Sequence, residues 1–374
     1  MTRIDDIVRA VGQEAPWGQA AEWDQVGLHI GDGSAEATGV LVALDATPAV
    51  VHEAAERGAN VLLTHHPLLF KPVGRVTAGD AVGALVLRMA QAGVAHVAAH
   101  TNLDASVAGV SVALARQLGL SDVHVLAPAA DATHVVVTYV PAGAAEAVRA
   151  ALAAAGAGRI GAYDACSFSS DGTGRFTPGP GAQPAVGAVG QAEATAEVRI
   201  EAVVPSWNLT DALTAAREAH PYETPVVFST PVDGVAAREG YGAVGDLAAP
   251  LALGAFLDHV AQTLGTPALR HTGDADRPVR RVAVCGGSGG TFLPAAIRSG
   301  ADAYVTADVT YHRWPEALAP DGTPRLALVD AGHYETEAVA ETLLVDIVRQ
   351  AFPDLPVYRT ALRTDPSRVH VTAR

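Results

Sequence analysis

Lysine is almost absent from this chain of 374 residues: Lys71 is the only one, and Pro72 follows it. A phosphate-binding P-loop requires Gly-Lys followed by Ser or Thr, so Walker-type phosphoryl transfer is excluded. The count of 25 Lys and Arg against 40 Asp and Glu gives a net charge of −15. Because the sequence also lacks a basic run, we do not expect general nucleic-acid binding.

Cysteine is also scarce, and long apolar runs are missing. The two cysteines, Cys166 and Cys285, lie far apart in the sequence, which excludes a disulfide framework and a cysteine-rich zinc module. Apolar stretches stay short of the ~18 residues of a transmembrane helix, and the first residues do not resemble a secretory signal. We therefore expect a soluble, cytoplasmic protein with no membrane partner.

Hydrophobic residues make up 49% of the chain, enough for more than one buried core. Residues 1–128 alternate strand and helix patterns, with predicted strands at 40–44, 61–64 and 95–99. The pattern returns from about residue 278, with strands at 281–285, 304–306 and 326–330 and one long helix at 336–352. Alternation of this kind predicts an α/β fold with parallel strands.

The middle of the chain, residues 129–235, has a different pattern. Two strand–helix–strand units flank a loop rich in Gly and Pro at 172–187, which predicts a ferredoxin-like α+β sandwich. We therefore predict three segments: 1–128 and 236–374 as the two parts of an α/β core, and 129–235 as an inserted domain. The functional site is expected between the two parts of the core.

Histidines and carboxylates follow the ends of several predicted strands, where open α/β sheets bind ligands. Residues four apart share a helix face. His100 with Asp104, and His333 with Glu337, can therefore each point two side chains at one centre. The six candidates are His65, His66, His100, Asp104, His333 and Glu337. Any one pair has an ordinary explanation as a capping imidazole or a helix-surface pair, but three such groups at three strand ends favour a metal site.

Imidazole and carboxylate ligands without thiolate suit zinc, iron, manganese or nickel. Six ligands exceed the three or four that one catalytic metal takes and suit two metals that share a carboxylate. We expect two divalent cations per subunit, zinc before iron, manganese or nickel, with Glu337 as the bridge. His312 follows another predicted strand and is a candidate proton shuttle or substrate donor.

Six stretches resemble the Nif-three-like dinuclear-metal proteins, often labelled GTP cyclohydrolase 1 type 2 homologues. They are WDQVGL (23–28), LTHHPL (63–68), HTNLD (100–104), VCGGSG (284–289), ADVTYH (307–312) and GHYETE (332–337). The resemblance implies that the six candidates hold two metals in a toroidal homohexamer. It also implies a small-molecule substrate, GTP or another purine nucleotide, whose imidazole ring is opened at C8 with release of formate.

The middle segment resembles the CutA- and PII-like insert of the long family members, in the stretches GAYDACSF (161–168) and HPYE (220–223). We expect His220, Glu223 and Cys166 there to serve the packing of loops; a secondary metal or effector site is the alternative.

Two other functions stay open. Ser288 lies in a Gly-x-Ser-x-Gly pattern between a strand and a helix, and Asp330 and His333 follow in the order of a serine-hydrolase triad. That alternative leaves His65, His66 and Asp104 unexplained. In the second alternative, the metals serve a non-catalytic hexameric scaffold or regulatory protein, since ligands from distant segments stabilise a fold.

Overall fold

A computed structural model describes residues 1–128, 133–161, 163–232, 239–266 and 268–370. The chain divides into two compact units, one formed by Met1–Pro128 with Glu239–Arg374 and the other by Ala129–Arg238. The domain boundaries predicted at 128/129 and 235/236 fall at residues 129–132 and 233–238, which are outside the described residues. Within those residues, no helix is both long and apolar enough to cross a membrane.

The strands of the described residues are β1 (Gly27–Ile30), β2 (Val40–Ala43), β3 (Val61–Thr64), β4 (Ala95–Ala98), β5 (Ser121–Pro128), β6 (Thr133–Pro141), β7 (Phe168–Phe176), β8 (Glu193–Pro205), β9 (Val227–Pro231), β10 (Gly240–Ala252), β11 (Arg270–His271), β12 (Pro278–Val284), β13 (Ala303–Thr306), β14 (Ala327–Asp330) and β15 (Val357–Arg359). The α-helices are α1 (Ile4–Glu14), α2 (Pro48–Glu56), α3 (Ala81–Ala92), α4 (Thr101–Ala105), α5 (Val110–Gln117), α6 (Ala145–Ala154), α7 (Leu209–Ala219), α8 (Leu253–Leu264), α9 (Leu293–Arg298), α10 (His333–Glu337) and α11 (Val339–Ala351).

The first unit contains two sheets, and the predicted α/β fold is confirmed. One has the order β1-β4-β3-β2-β15, in which β4, β3, β2 and β15 are parallel and β1 is an antiparallel edge. The other has the order β11-β14-β13-β12-β10-β5, with a parallel centre of β14, β13 and β12. The central strands β2, β3, β4, β13 and β14 are buried along their whole length, as expected when helices cover both faces of a sheet.

Helices from both ends of the chain cover the five-stranded sheet. Ile7 of α1 and Leu344 of α11 pack with Val42 and Leu63 in one cluster on one face. Helices α2 and α3 pack on the other face, and α2 begins as predicted, with Thr47 as its N-cap and Pro48 in its first turn. This packing joins the two parts of the core.

Glu341 of α11 ties the C-terminal part to the end of β2. Its buried carboxylate accepts a hydrogen bond from the backbone N–H of Leu44 (3.0 Å) and pairs with Arg359 of β15 (2.7 Å). Loss of the Glu341 carboxylate would leave the buried N–H of Leu44 without an acceptor. The contact therefore fixes the start of α11 against the strand ends where the site lies.

The second unit has the order β7-β8-β6-β9, with all three pairings antiparallel. Helices α6 and α7 pack on one face of this sheet. The connectivity β-α-β-β-α-β with this order is ferredoxin-like, as predicted.

Two predicted elements are wrong in extent. The loop predicted at 172–187 begins only after Phe176, because Gly172 and Gly174 pair with Glu197 and Thr195 of β8 as part of strand β7. The single helix predicted at 336–352 is two helices, α10 and α11, which meet at Ala338.

Candidate metal centre

The four predicted histidines meet where parallel strands of the two sheets end. His65 and His66 follow β3, His100 follows β4, and His333 begins α10 after β14. The ring centroid of His65 lies 5.2 Å from those of His66 and His100, and the centroid of His66 lies 5.4 Å from that of His333. The carboxyl edges of both sheets thus contribute to one cluster of imidazoles.

Glu337 of α10 lies at the centre of this cluster, with its side chain only 6% exposed. Its Oε2 is 2.9 Å from Nε2 of His66 and 2.8 Å from Nε2 of His333, and its Oε1 is 3.9 Å from Nε2 of His65. Burial favours the neutral acid, but the hydrogen bonds from His333 and His66 outweigh it and hold the pKa of Glu337 well below its usual range.

The hydrogen bonds to Glu337 also change the pKa values of the imidazoles. Burial lowers the pKa of His66, yet its hydrogen bonds to Asp45 and Glu337 prevail and raise that pKa to about 10. The hydrogen bond to Glu337 is the main cause that raises the pKa of His333 to about 9.

Asp104 completes the set of six. It lies on α4, with Oδ1 3.7 Å from Nε2 of His65. Burial and the Glu337 carboxylate raise the pKa of Asp104 well above its usual value. The structure therefore brings all six predicted side chains to one place.

Each histidine is held through its Nδ1 atom. Nδ1 of His65 lies 2.8 Å from the backbone oxygen of Ala99. The other three contact carboxylates: His66 with Asp45 (2.7 Å), His100 with Asp24 (2.9 Å) and His333 with Asp308 (2.7 Å). Because these oxygens are acceptors, each Nδ1 donates, and Nε2 is the ring atom directed towards the cluster. Metal-binding histidines are commonly fixed in this way.

Nε2 of His65 provides the test of whether a cation fits. This nitrogen is buried and has no hydrogen-bond partner among the described residues. Complete burial lowers the pKa of His65 to about 3, so the ring is neutral at pH 7. An unpaired buried nitrogen costs about 1–3 kcal/mol, and a divalent cation would satisfy it.

Two groups of three residues offer ligand atoms within 4.8 Å of one another. In the part of the chain that the structure describes, they are His65, His66 and His100, and His66, His333 and Glu337. The donor set of imidazole and carboxylate therefore fits a divalent metal.

A glycine turn after β12 approaches Glu337 closely. Gly287 has φ +57°, and a Cβ atom there would lie 2.0 Å from Oε1 of Glu337. Only glycine allows this approach. The Gly-x-Ser-x-Gly pattern thus makes room for the carboxylate.

The serine-hydrolase alternative does not match the contacts. Both ring nitrogens of His333 are engaged, by Asp308 and Glu337. Asp330 instead pairs with Arg270 and accepts a hydrogen bond from the backbone N–H of Val309. A triad needs His333 to contact both Ser288 and Asp330.

His312 lies on an exposed 3₁₀ helix, Tyr311–Ala317. Its ring lies against that of Tyr311, with centroids 5.5 Å apart, and the six clustered side chains make their contacts without it. It is four residues beyond Asp308, which contacts His333.

The secondary cluster considered in the middle segment is explained by packing at His220. Its Nε2 lies 2.8 Å from the backbone oxygen of Tyr139, and its Nδ1 accepts a hydrogen bond from the backbone N–H of Tyr222 (3.1 Å). Both ring nitrogens therefore serve the fold of the second unit.

Sequence reasoning missed the three aspartates that hold the histidines. Asp45 and Asp308 follow β2 and β13, so the strand-end pattern used for the histidines would also have found them. Asp308 has φ +51°, a strained conformation for a residue other than glycine, of the kind that concentrates at functional sites. Asp24 precedes β1, an antiparallel edge strand, and therefore does not follow the end of a parallel strand as the other candidates do.

Two exposed aromatic rings flank His100. Trp23 is 62% exposed and Phe70 43% exposed, and their centroids are 5.9 Å apart. The centroid of His100 lies 6.3 Å from that of Trp23 and 6.4 Å from that of Phe70. Apolar rings left in water beside a polar cluster are typical of a binding surface.

A profile of the family described as Duf34/NIF3 (NGG1p interacting factor 3) matches residues 2–366. The chain belongs to this family. A relative from Mycobacterium tuberculosis, named GTP cyclohydrolase 1 type 2 homolog, is 40% identical over 100% of this chain and 98% of its own length. One from Bacillus subtilis with the same name is 38% identical, covering 90% of this chain and 89% of the relative. The crystal structure of a Bacillus cereus protein related to NIF3 superposes with a TM-score of 0.81 at 37% identity, covering 99% of each chain.

We expect Asp45→Ala to weaken divalent-cation binding about 10–100-fold, because His66 loses the acceptor that orients its ring. A competition titration of the metal-free protein with a chromogenic chelator measures this. Glu56→Ala, which removes an exposed carboxylate from α2, is the matched control and should bind like the wild type. Equal affinities for Asp45→Ala and wild type would contradict the orienting role.

Proposed function

We propose that this Duf34/NIF3 protein is a metal-dependent hydrolase that opens the imidazole ring of a purine nucleotide such as GTP and releases formate. Two divalent cations per chain, zinc before iron, manganese or nickel, would be held by His65, His66, His100, Asp104, His333 and Glu337. The homohexamer and the cytoplasmic location are part of the same prediction.

One observation carries the proposal: six potential ligands from opposite ends of the chain converge around a buried, unpartnered Nε2 of His65. The two oxygens of Glu337 point to different imidazoles, Oε1 towards His65 and Oε2 towards His66 and His333. This arrangement supports Glu337 as the shared ligand of two sites. A single site would leave part of the set unused.

A pair of divalent cations supplies Lewis acidity, which makes hydrolysis feasible at neutral pH. The chain contributes orientation: Asp24, Asp45 and Asp308 hold three rings by their Nδ1 atoms, so that Nε2 keeps one direction. Release of formate consumes two waters and breaks both C8–N bonds: the first hydrolysis opens the ring to a formamide, and the second cleaves the formamide to formate and an amine. Each departing nitrogen requires a proton, and we assign its delivery to His312, which is exposed on the 3₁₀ helix four residues beyond Asp308.

The purine substrate is supported by the surface beside His100 and by the names of the relatives. Trp23 and Phe70 offer flat apolar faces on which a base can stack. The relatives named GTP cyclohydrolase 1 type 2 homolog cover nearly the whole chain.

Zinc-loaded wild-type protein incubated with GTP should release formate, and Glu337→Gln should release none above background, because the shared carboxylate is lost. Formate is measured with a coupled dehydrogenase assay. Glu335→Gln, two residues away and bound to Arg363 instead of the cluster, should retain the activity. Absence of formate with GTP and with other purine nucleotides, for protein loaded with each candidate metal, would remove the proposal.

His312→Gln should reduce kcat about 100-fold or more, as expected for loss of a general acid, while the metal content stays unchanged. Elemental analysis of the same preparation separates this effect from loss of metal. An unchanged kcat would show that another group or water supplies the proton.

Trp23→Ala should raise KM for the nucleotide about tenfold, since stacking on an aromatic side chain contributes ~1–3 kcal/mol per base. Because Trp23 is not one of the proposed metal ligands, kcat should change little. Tyr163→Ala, which removes another exposed ring from the second unit, is the control. Equal KM values for Trp23→Ala and wild type would exclude this surface as the base-binding platform.

A non-catalytic scaffold is the second candidate, and the span of the ligands favours it. They lie between residues 65 and 337 and come from both sheets, so bound cations would stabilise the fold of the first unit. Chelation should then lower the Tm and dissociate the oligomer, as scanning calorimetry and light scattering measure. If chelation does both and no nucleotide is hydrolysed, the scaffold is the better account; if hydrolysis occurs, it fails as an alternative.

A further inference from the structure

A cavity of about 630 Å³ lies within the second unit. Strand β7 and the loop at 177–192 form its walls, and β8 forms its floor. Tyr139, Glu197 and Arg199 line it and alternate along their strands with Val140, Val198 and Ile200, which pack under α6 and α7. The cavity therefore lies on the sheet face opposite the helices.

The walls are largely apolar and aromatic. Phe176 and Tyr222 lie with ring centroids 6.1 Å apart, and Pro178 and Val186 of the loop lie beside them. The N–H of Gln183 donates to Oε1 of Glu223 (2.9 Å), which links the loop to the connection between α7 and β9. Pockets of about 300–1,000 Å³ with such walls and few polar groups are typical of small-molecule sites.

Glu197 is the buried polar group of this cavity. The hydroxyl of Tyr222 donates to its Oε1 at 2.8 Å. Strand β7 passes directly against the other oxygen: a Cβ atom on Gly174 would lie 2.3 Å from Oε2. The glycine that weakens β7 as a strand is therefore the residue that leaves space for this carboxylate.

The charges of the lining favour a cation. Asp171, Glu197 and Glu223 are acidic, whereas the basic residues are Arg175 and Arg199. Arg199 is already paired with Glu201, on the same strand. Negative charge thus exceeds the unpaired positive charge around the cavity.

We propose that this cavity binds a small organic cation, an amine or amidine carried on a flat apolar body. The cationic head donates N–H bonds to Glu197, and charge-assisted bonds of this kind are stronger than neutral ones. The body lies against Phe176 and Tyr222, whose faces also attract a cation. The site gives the second unit a ligand of its own.

Isothermal titration of the full-length protein with benzamidine tests the proposal, with benzoate as the probe of equal shape and opposite charge. We expect saturable binding of benzamidine and at least tenfold weaker binding of benzoate. Glu197→Gln should weaken benzamidine binding at least tenfold, and Gly174→Ala should do the same by displacing the carboxylate. Glu218→Gln, an exposed carboxylate on α7, should bind like the wild type.

Three results would overturn the proposal: no benzamidine binding at millimolar concentration, equal binding of benzoate, or equal binding by correctly folded Glu197→Gln. Circular dichroism verifies the fold of each variant. If Glu197→Gln does not fold, the comparison of the two probes on the wild type decides the question.

Discussion

The hydrogen bonds between Glu337 and the imidazoles of His66 and His333 are the contacts on which the rest of the first unit depends. The bond to His66 joins side chains 271 positions apart, one following β3 of the five-stranded sheet and the other on the helix after β14 of the six-stranded sheet. For this bond to form, the carboxyl edges of both sheets must meet. The packing of α11 on the first sheet, the Glu341 contact to Leu44 and the return of β15 beside β2 hold the chain in that arrangement.

Electrostatics makes this convergence costly without a cation. The side chains of His65 and Glu337 are buried and those of His66 and Asp104 are largely so, and the pKa values of His65 and Glu337 fall while that of Asp104 rises. Burial of ionisable groups at this density is favourable only when they are paired or coordinate a metal. Asp24, Asp45 and Asp308 fix the orientation of three of the rings, and Gly287 leaves space for the Glu337 carboxylate. Packing alone would require neither feature.

The six clustered residues could be predicted from the sequence because parallel strands end at the same edge of a sheet. Polar groups that follow such strands therefore lie close together, and this does not depend on the other elements of the fold. Asp45 and Asp308 were not predicted, because the candidate carboxylates Asp104 and Glu337 were identified by their spacing of four residues from His100 and His333. Strand β7 was missed because Gly172 and Gly174 have low strand propensity, and only pairing with β8 makes them a strand. The pairing of β15 with β2 joins segments over 300 residues apart, which no local pattern contains.

The central claim is that the cluster holds two cations, and the metal content of the saturated protein tests it most directly. Metal-free protein is titrated with zinc, passed over a desalting column and analysed for zinc and for protein by elemental and amino-acid analysis. The account predicts about two zinc ions per chain, and no more than one in a folded Glu337→Gln variant. A wild-type protein that retains no stoichiometric zinc, iron, manganese or nickel would contradict it.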